Sequence, residues 1–193
     1  MVHLAQREDR AHVVKIIEES FADNPSVVSV INPRKPGSLR ALARYAFDTA
    51  IVREGVWLST DRKAVAICYF YGLKKEGLRD LWNQALLVIY CVGLRNVASV
   101  MKREQYIKKY RPQDGSFLYF WFFGASEAGR QKRSAFELKQ AIFDLSEKKK
   151  LPIYLETSVQ KNRRVYERYG FEVYHEWQQT EDRTLFFMRR QAK

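Results

Sequence analysis

Residues Phe117–Phe123 read FLYFWFF, an unbroken apolar and aromatic run with turn-forming residues on either side. Such a segment offers no polar side chain to water, so it suits a strand buried on both faces at the centre of a sheet. The residues after it narrow the choice further. Gly124–Arg133 (GASEAGRQKR) is a loop. Ser134–Lys149 then places Ala135, Leu138, Ile142 and Leu145 on one face of a helix, with Lys139, Glu147 and Lys148 pointing elsewhere. Pro152 opens a second apolar strand, Ile153–Thr157. A strand, a crossover helix and another buried strand make a right-handed parallel unit.

The remaining segments fit around this unit. Val2–Leu4 predicts a short strand, and Asp9 an N-cap for a helix over about residues 10–22 with Val13, Ile16, Ile17 and Phe21 on its apolar side. Asn32–Gly37 is a loop. Ser38 is the expected cap of a second helix to about Glu54, stopped by Gly55. Val56–Ser59 and Val65–Tyr71 form a hairpin around Asp61–Arg62. A mostly helical insertion is expected at about residues 78–111, apolar first and basic later, with a break at Gly93. Asn162–Tyr169 is a two-turn helix with Gly170 as its left-handed cap. Phe171–Trp177 and Thr184–Arg189 form a final hairpin. The expected architecture is α+β, layered α/β/α: a mixed twisted sheet of about six to seven strands flanked by helices, in one domain over residues 1–193.

Several function classes have no support. His3, His12 and His175 are scattered, without metal-ligand spacing to the cysteines. There is no P-loop and no dinucleotide glycine fingerprint. Cys68 and Cys91 sit in apolar surroundings and read as buried free thiols. With no secretory signal in Met1–Arg10, the expected compartment is a reducing cytoplasm. Ala85–Leu94 is too short to span a membrane and reads as a buried helix. The net charge of +12 favours phosphate-bearing or acidic partners without choosing among them.

The C-terminal third carries a recognisable pattern. Leu151–Trp177 reads LPIYLETSVQKNRRVYERYGFEVYHEW. Its Asn162, followed by Tyr166, Glu167, Arg168, Gly170 and Phe171, resembles the late motif of the GNAT-type N-acetyltransferases, and the order of elements is similar over nearly the whole chain. The resemblance implies acetyl-CoA as cosubstrate. It places the pantetheine arm along the end of the central strand, at Phe122 and Phe123. The pyrophosphate falls in the next loop, on Gly129, Arg130, Gln131, Lys132, Arg133 and Ser134, and Asn162 also contacts the cofactor arm. It implies Tyr166 as the acid that protonates the leaving thiolate. Glu156 is the nearest carboxylate for the base, with a water relay as the alternative.

The pyrophosphate loop departs from the family pattern, since Ala128, Gln131 and Arg133 stand where that pattern has Gln or Arg, Gly, and Gly or Ala. Arg130, Lys132 and Arg133 also crowd a helix N-terminus, where cations are unfavourable and a bound anion relieves the conflict. The expected activity is transfer of an acetyl group to a primary amine of a small molecule or peptide, with a homodimer as an allowed assembly and no membrane partner. Two other readings remain open: a binding module that has lost catalysis, and single-stranded nucleic acid held by Lys102–Arg111, where Tyr106 and Tyr110 interleave with cations.

Overall fold

The structure is a computed structural model describing residues 1–32, 34–72, 97–130 and 133–193, with Arg130 described by its backbone alone. Cys91, Ala85–Leu94 and the first part of the insertion lie outside the described residues. In chain order the elements are β1 (His3–Leu4), α1 (Arg10–Phe21), α2 (Pro25–Val28), α3 (Ser38–Ile51), β2 (Val56–Leu58), β3 (Ala64–Phe70) and α4 (Val97–Tyr110). They continue with β4 (Leu118–Ala125), α5 (Glu127–Arg130), α6 (Ser134–Lys149), β5 (Ile153–Thr157), α7 (Gln160–Arg168), β6 (Glu172–Thr180) and β7 (Arg183–Arg190).

The strands form one seven-stranded mixed sheet in the order β1-β2-β3-β4-β5-β7-β6. The β4–β5 pair is parallel and every other neighbouring pair is antiparallel. This is the expected α+β architecture, with the FLYFWFF run at its centre. One face packs on α1 and α3 through Val13, Ile17, Phe47, Val65, Tyr119 and Phe122. The other packs on α6 through Leu138 and Ile142, both fully buried, with Leu118, Phe120, Ile153 and Leu155. Each such aliphatic side chain contributes roughly 1.5–3 kcal/mol by leaving water.

The central strand does not alternate evenly. Ile67 pairs with Phe122 while Cys68 pairs with Phe120, so Trp121 is an extra residue, a β-bulge. Phe117 and Tyr119 share a face with Phe122, while Leu118, Phe120 and Phe123 share the other. Because every side chain in the run is apolar or aromatic, both faces stay packed through the change of parity, and the one hydroxyl, on Tyr119, finds a partner in Glu156.

Asp9 holds the N-cap position of α1 as expected, although its side chain makes no capping bond: its carboxylate accepts the Gln6 N–H at 2.8 Å and pairs with Arg62. One local expectation is corrected. Ser38 is not the cap of α3, because Gly37 takes that position at φ 81° and the Ser38 hydroxyl donates back to Asn32 O and Lys35 O. Past the end of α1, Asn24 accepts N–H bonds from Ser26 and Val27 and, with Pro25 in the first turn, starts the short α2, an additional element.

α4 lies against the final hairpin. Tyr106 stacks on Trp177 at 4.0 Å and Tyr110 on His175 at 3.7 Å, around the buried Ile107. These two rings, read above as a surface for stacking bases, are spent on the protein's own strands. Among the described residues no helix is long and apolar enough to cross a membrane.

Candidate functional site

The parallel strands β4 and β5 pair at only two positions, Leu118 with Ile153 and Tyr119 with Tyr154. β4 runs on to Ala125 and β5 to Thr157, so the two diverge beyond that point. The bulge at Trp121 falls just past the last pair, where an extra residue bends the strand. The backbone groups of β4 that face β5 beyond Tyr119 therefore lack a strand partner, in an otherwise fully paired sheet centre.

Beside this stretch of β4 lies a cavity of about 390 Å³ between the strand, α6 and α7. Phe120 and Phe123 form its β4 wall. Ala135, Phe136, Lys139 and Phe143 of α6 form the second wall, and Asn162, Val165 and Tyr166 of α7 the third, with Tyr169 and Phe171 just beyond. Of the two expected strand-end residues, Phe123 thus faces the cavity, while Phe122 turns to the opposite core and meets Phe21 edge-on at 5.0 Å. Lys139, read from the sequence as pointing away, lines the cavity as well.

The first turn of α6 reaches the cavity at Ala135 and Phe136, and no side chain caps its N-terminus. Uncapped N–H groups at the positive end of a sixteen-residue helix suit an anion. The expected pyrophosphate residues take different parts here. Arg133 is exposed and its carbonyl accepts the Glu137 N–H at 2.9 Å. The buried Ser134 donates its hydroxyl to Asp61 at 2.8 Å, tying α6 to the β2–β3 turn. Burial alone would raise the Asp61 carboxyl, but hydrogen bonds from Ser134, Ser59 and the Lys63 N–H outweigh it and hold it below the ordinary carboxylate value. Gln131, Lys132 and the Arg130 side chain lie outside the described residues.

Gly129 has a packing role: a Cβ there would fall 2.5 Å from the Lys63 carbonyl oxygen. Gly129→Ala is expected to lower stability by about 1–3 kcal/mol in urea unfolding. Unchanged stability would return Gly129 to a ligand role.

α7 begins at Gln160 with Val159 as N-cap, so Asn162 is not the cap but lies inside the first turn, facing the cavity. The end of α7 is as the sequence indicates. Gly170 adopts φ 84°; its N–H bonds Glu167 O, and the Phe171 N–H bonds Tyr166 O, both at 3.0 Å. These are the two bonds of a Schellman motif, and its usual apolar contact is the Tyr166–Phe171 ring pair at 5.4 Å. The helix cap thereby orients Tyr166 in the cavity wall. Burial pushes the Tyr166 hydroxyl up to about 12.

Glu156 sits on the opposite face of β5 from the buried Leu155. Arg111 grips it with a two-pronged bond, Nε to Oε1 and Nη2 to Oε2, both at 2.9 Å. The Tyr119 hydroxyl donates to Oε2 at 2.8 Å. The two charged side chains are only 6% and 4% exposed, and the Arg111 guanidinium lies 3.9 Å from the Tyr119 ring centroid. Burial opposes the Arg111 charge, yet the Glu156 carboxylate beside it raises the pKa well above its ordinary value. Tyr119 is also half of the last β4–β5 pair, so this network pins the strands at the point where they part.

No family model and no curated protein sequence matches the chain. Solved structures do. The histone acetyltransferase HPA2 and related acetyltransferase from Corynebacterium glutamicum ATCC 13032 is 18% identical with a TM-score of 0.70, over 100% of this chain and 96% of that one. The C-terminal condensation domain of Ebony, in complex with beta-alanyl-dopamine, is 12% identical with a TM-score of 0.72, over 100% and 98%. Arylalkylamine N-acetyltransferase 2 from Aedes aegypti is 13% identical with a TM-score of 0.64, over 100% and 99%. With its forked parallel pair, uncapped helix N-terminus and this likeness over its whole length, the chain has the fold of the GNAT-type acetyltransferases.

Proposed function

We propose that this chain is an acyl-CoA-dependent N-acyltransferase that takes acetyl-CoA and a primary amine. The observation that carries the reading is the fork between β4 and β5, with a cavity beside β4 bordered by the first turn of α6. The residues present fit the cosubstrate. The unpaired edge of β4 suits the amides of a pantetheine arm, which would lie along it as an added strand. The α6 N-terminus suits the pyrophosphate. CoA supplies the acyl group as an activated thioester.

In this reading, backbone N–H groups of β4 beyond the bulge polarise the thioester carbonyl. Tyr166 donates a hydrogen bond to the departing thiolate. A thiol has an ordinary pKa of about 8.5, so a phenol near 12 keeps its proton and stabilises the anion by the bond itself. Both Glu156 oxygens are committed to Arg111 and Tyr119, which makes Glu156 a positioning residue and leaves the amine proton to water. That commitment favours one competing reading, a catalytically silent module that binds CoA in the same cavity.

The test is release of free CoA thiol from acetyl-CoA in the presence of primary amines. Arylalkylamines come first in the panel, because two structural neighbours are named with an arylalkylamine or a dopamine conjugate. Amine-dependent thiol release is expected. Tight CoA binding without release for any amine in the panel contradicts the enzyme reading and leaves the silent module.

A further inference from the structure

The rim of the cavity holds two large aromatic side chains in water. Phe136 is 56% exposed and Tyr169 is 39% exposed. They belong to different walls, α6 and the end of α7, and both line the cavity. The Lys139 ammonium lies 4.4 Å from each of these ring centroids and 5.0 Å from that of Phe143, so the two rim rings stand within twice 4.4 Å of each other and share one cation. Lys139 has no carboxylate within ion-pair distance among the described residues. Asp144, one turn on, accepts instead from Gln140 at 2.9 Å.

A second cation borders the same end of the cavity. The Arg190 guanidinium lies 4.3 Å from the Phe143 ring centroid and pairs with Glu147 through Nη2. Its Nη1 is buried without a hydrogen-bond partner. Burial, and then the Arg190 charge, lower the Lys139 pKa, against a smaller opposing pull from Asp144. Two rim aromatic rings and a cation without an ion pair among the described residues thus stand together where the cavity meets solvent. A flat ring held between two others needs them about 7–8 Å apart, two van der Waals contacts, a separation that lies inside the upper limit set by the two 4.4 Å distances.

We propose that Phe136 and Tyr169 clamp the purine base of acyl-CoA and that Lys139, leaving the gap, pairs with the 3′-phosphate of the attached ribose. The proposal rests on the acyl-CoA reading above and deepens it into a choice of donor. A clamp for the nucleotide selects free acyl-CoA over the same acyl-phosphopantetheine arm carried on a protein, which has no adenosine.

The experiment measures the affinity of the full chain for CoA, 3′-dephospho-CoA and 4′-phosphopantetheine. CoA is expected to bind about tenfold tighter than dephospho-CoA through one charge-assisted pair. Phe136→Ala with Tyr169→Ala is expected to weaken CoA by at least about tenfold, with phosphopantetheine affinity held. Lys139→Met, which keeps the apolar stem, is expected to erase the difference between CoA and dephospho-CoA. If CoA binds and every variant retains the parent's order and affinities, the clamp is overturned while the acyl-CoA reading stands. If the parent protein binds neither CoA nor phosphopantetheine, both fall together.

Discussion

Tyr166→Phe is expected to lower the turnover of acetyl transfer by about 10²-fold or more, the loss typical of removing one donor aimed at developing negative charge. CoA affinity should hold, because the substitution removes one oxygen and keeps the ring against Phe171, 5.4 Å away in the Schellman contact. The pH profile gives a second check. With the hydroxyl near 12, Tyr166 stays protonated through neutral and moderately alkaline solution and loses its proton only as pH rises through that value. Its titration therefore contributes no fall in rate between about pH 6 and 10. A Phe variant with the parent's turnover would remove Tyr166 from the chemistry, and so would an alkaline fall below pH 10 that disappears in the variant.

Arg111→Met is expected to destabilise the fold by about 3–5 kcal/mol in denaturant unfolding, because it leaves the Glu156 carboxylate buried without its ion-pair partner. Arg111→Met combined with Glu156→Leu should recover most of that loss, since an apolar pair of similar volume avoids the desolvation penalty of both charges. Such non-additivity is the mark of one interacting unit. If the double variant is less stable than the single one, Glu156 is held by more than Arg111. The double variant also bears on mechanism. If the network only pins the fork, transfer should persist at a reduced rate with an unchanged pH profile. Loss of a carboxylate limb from the profile would restore Glu156 as the base.

The parts of this architecture that were legible in the sequence are those written in consecutive residues. FLYFWFF has no charged or wholly polar side chain, so its place in the sheet centre follows from composition alone. Gly170 marks a left-handed cap because the apolar pattern stops there, and the cap is found. The bulge at Trp121 leaves no trace, since a change of parity in a run of apolar and aromatic side chains moves no charged group. The sequence points to a later start for α7, at Asn162, because Asn is a good N-cap type, while Val159, which holds the position, has no capping side chain. α2 was hidden because Asn24–Pro25 reads equally well as a turn or as a cap with its first helical residue.

The site was less legible for a related reason: its partners meet only through the tertiary fold. Lys139 occupies an ordinary polar position on an amphipathic helix, and only the packing of α7 beside α6 turns it into a cavity residue. Arg111 closes a basic stretch that reads as a solvated surface. The carboxylate it binds lies 45 residues further along the chain. Tyr166 and Asn162 could be named because the late motif is local, spanning one helix and its cap. Gly129 is a phosphate candidate by residue type, and the structure adds a packing reason for glycine there, the Lys63 backbone beside it.

The central claim is that the fork between β4 and β5 receives acyl-CoA. Its most direct test is the thermal unfolding of the intact chain with increasing acetyl-CoA or CoA. A ligand at 100 times its dissociation constant adds about 2.7 kcal/mol of stability, which for a chain of this size raises Tm by roughly 5–10 °C. A saturable rise of that order in both titrations is the predicted result. An unmoved Tm at millimolar acetyl-CoA and CoA would contradict the account.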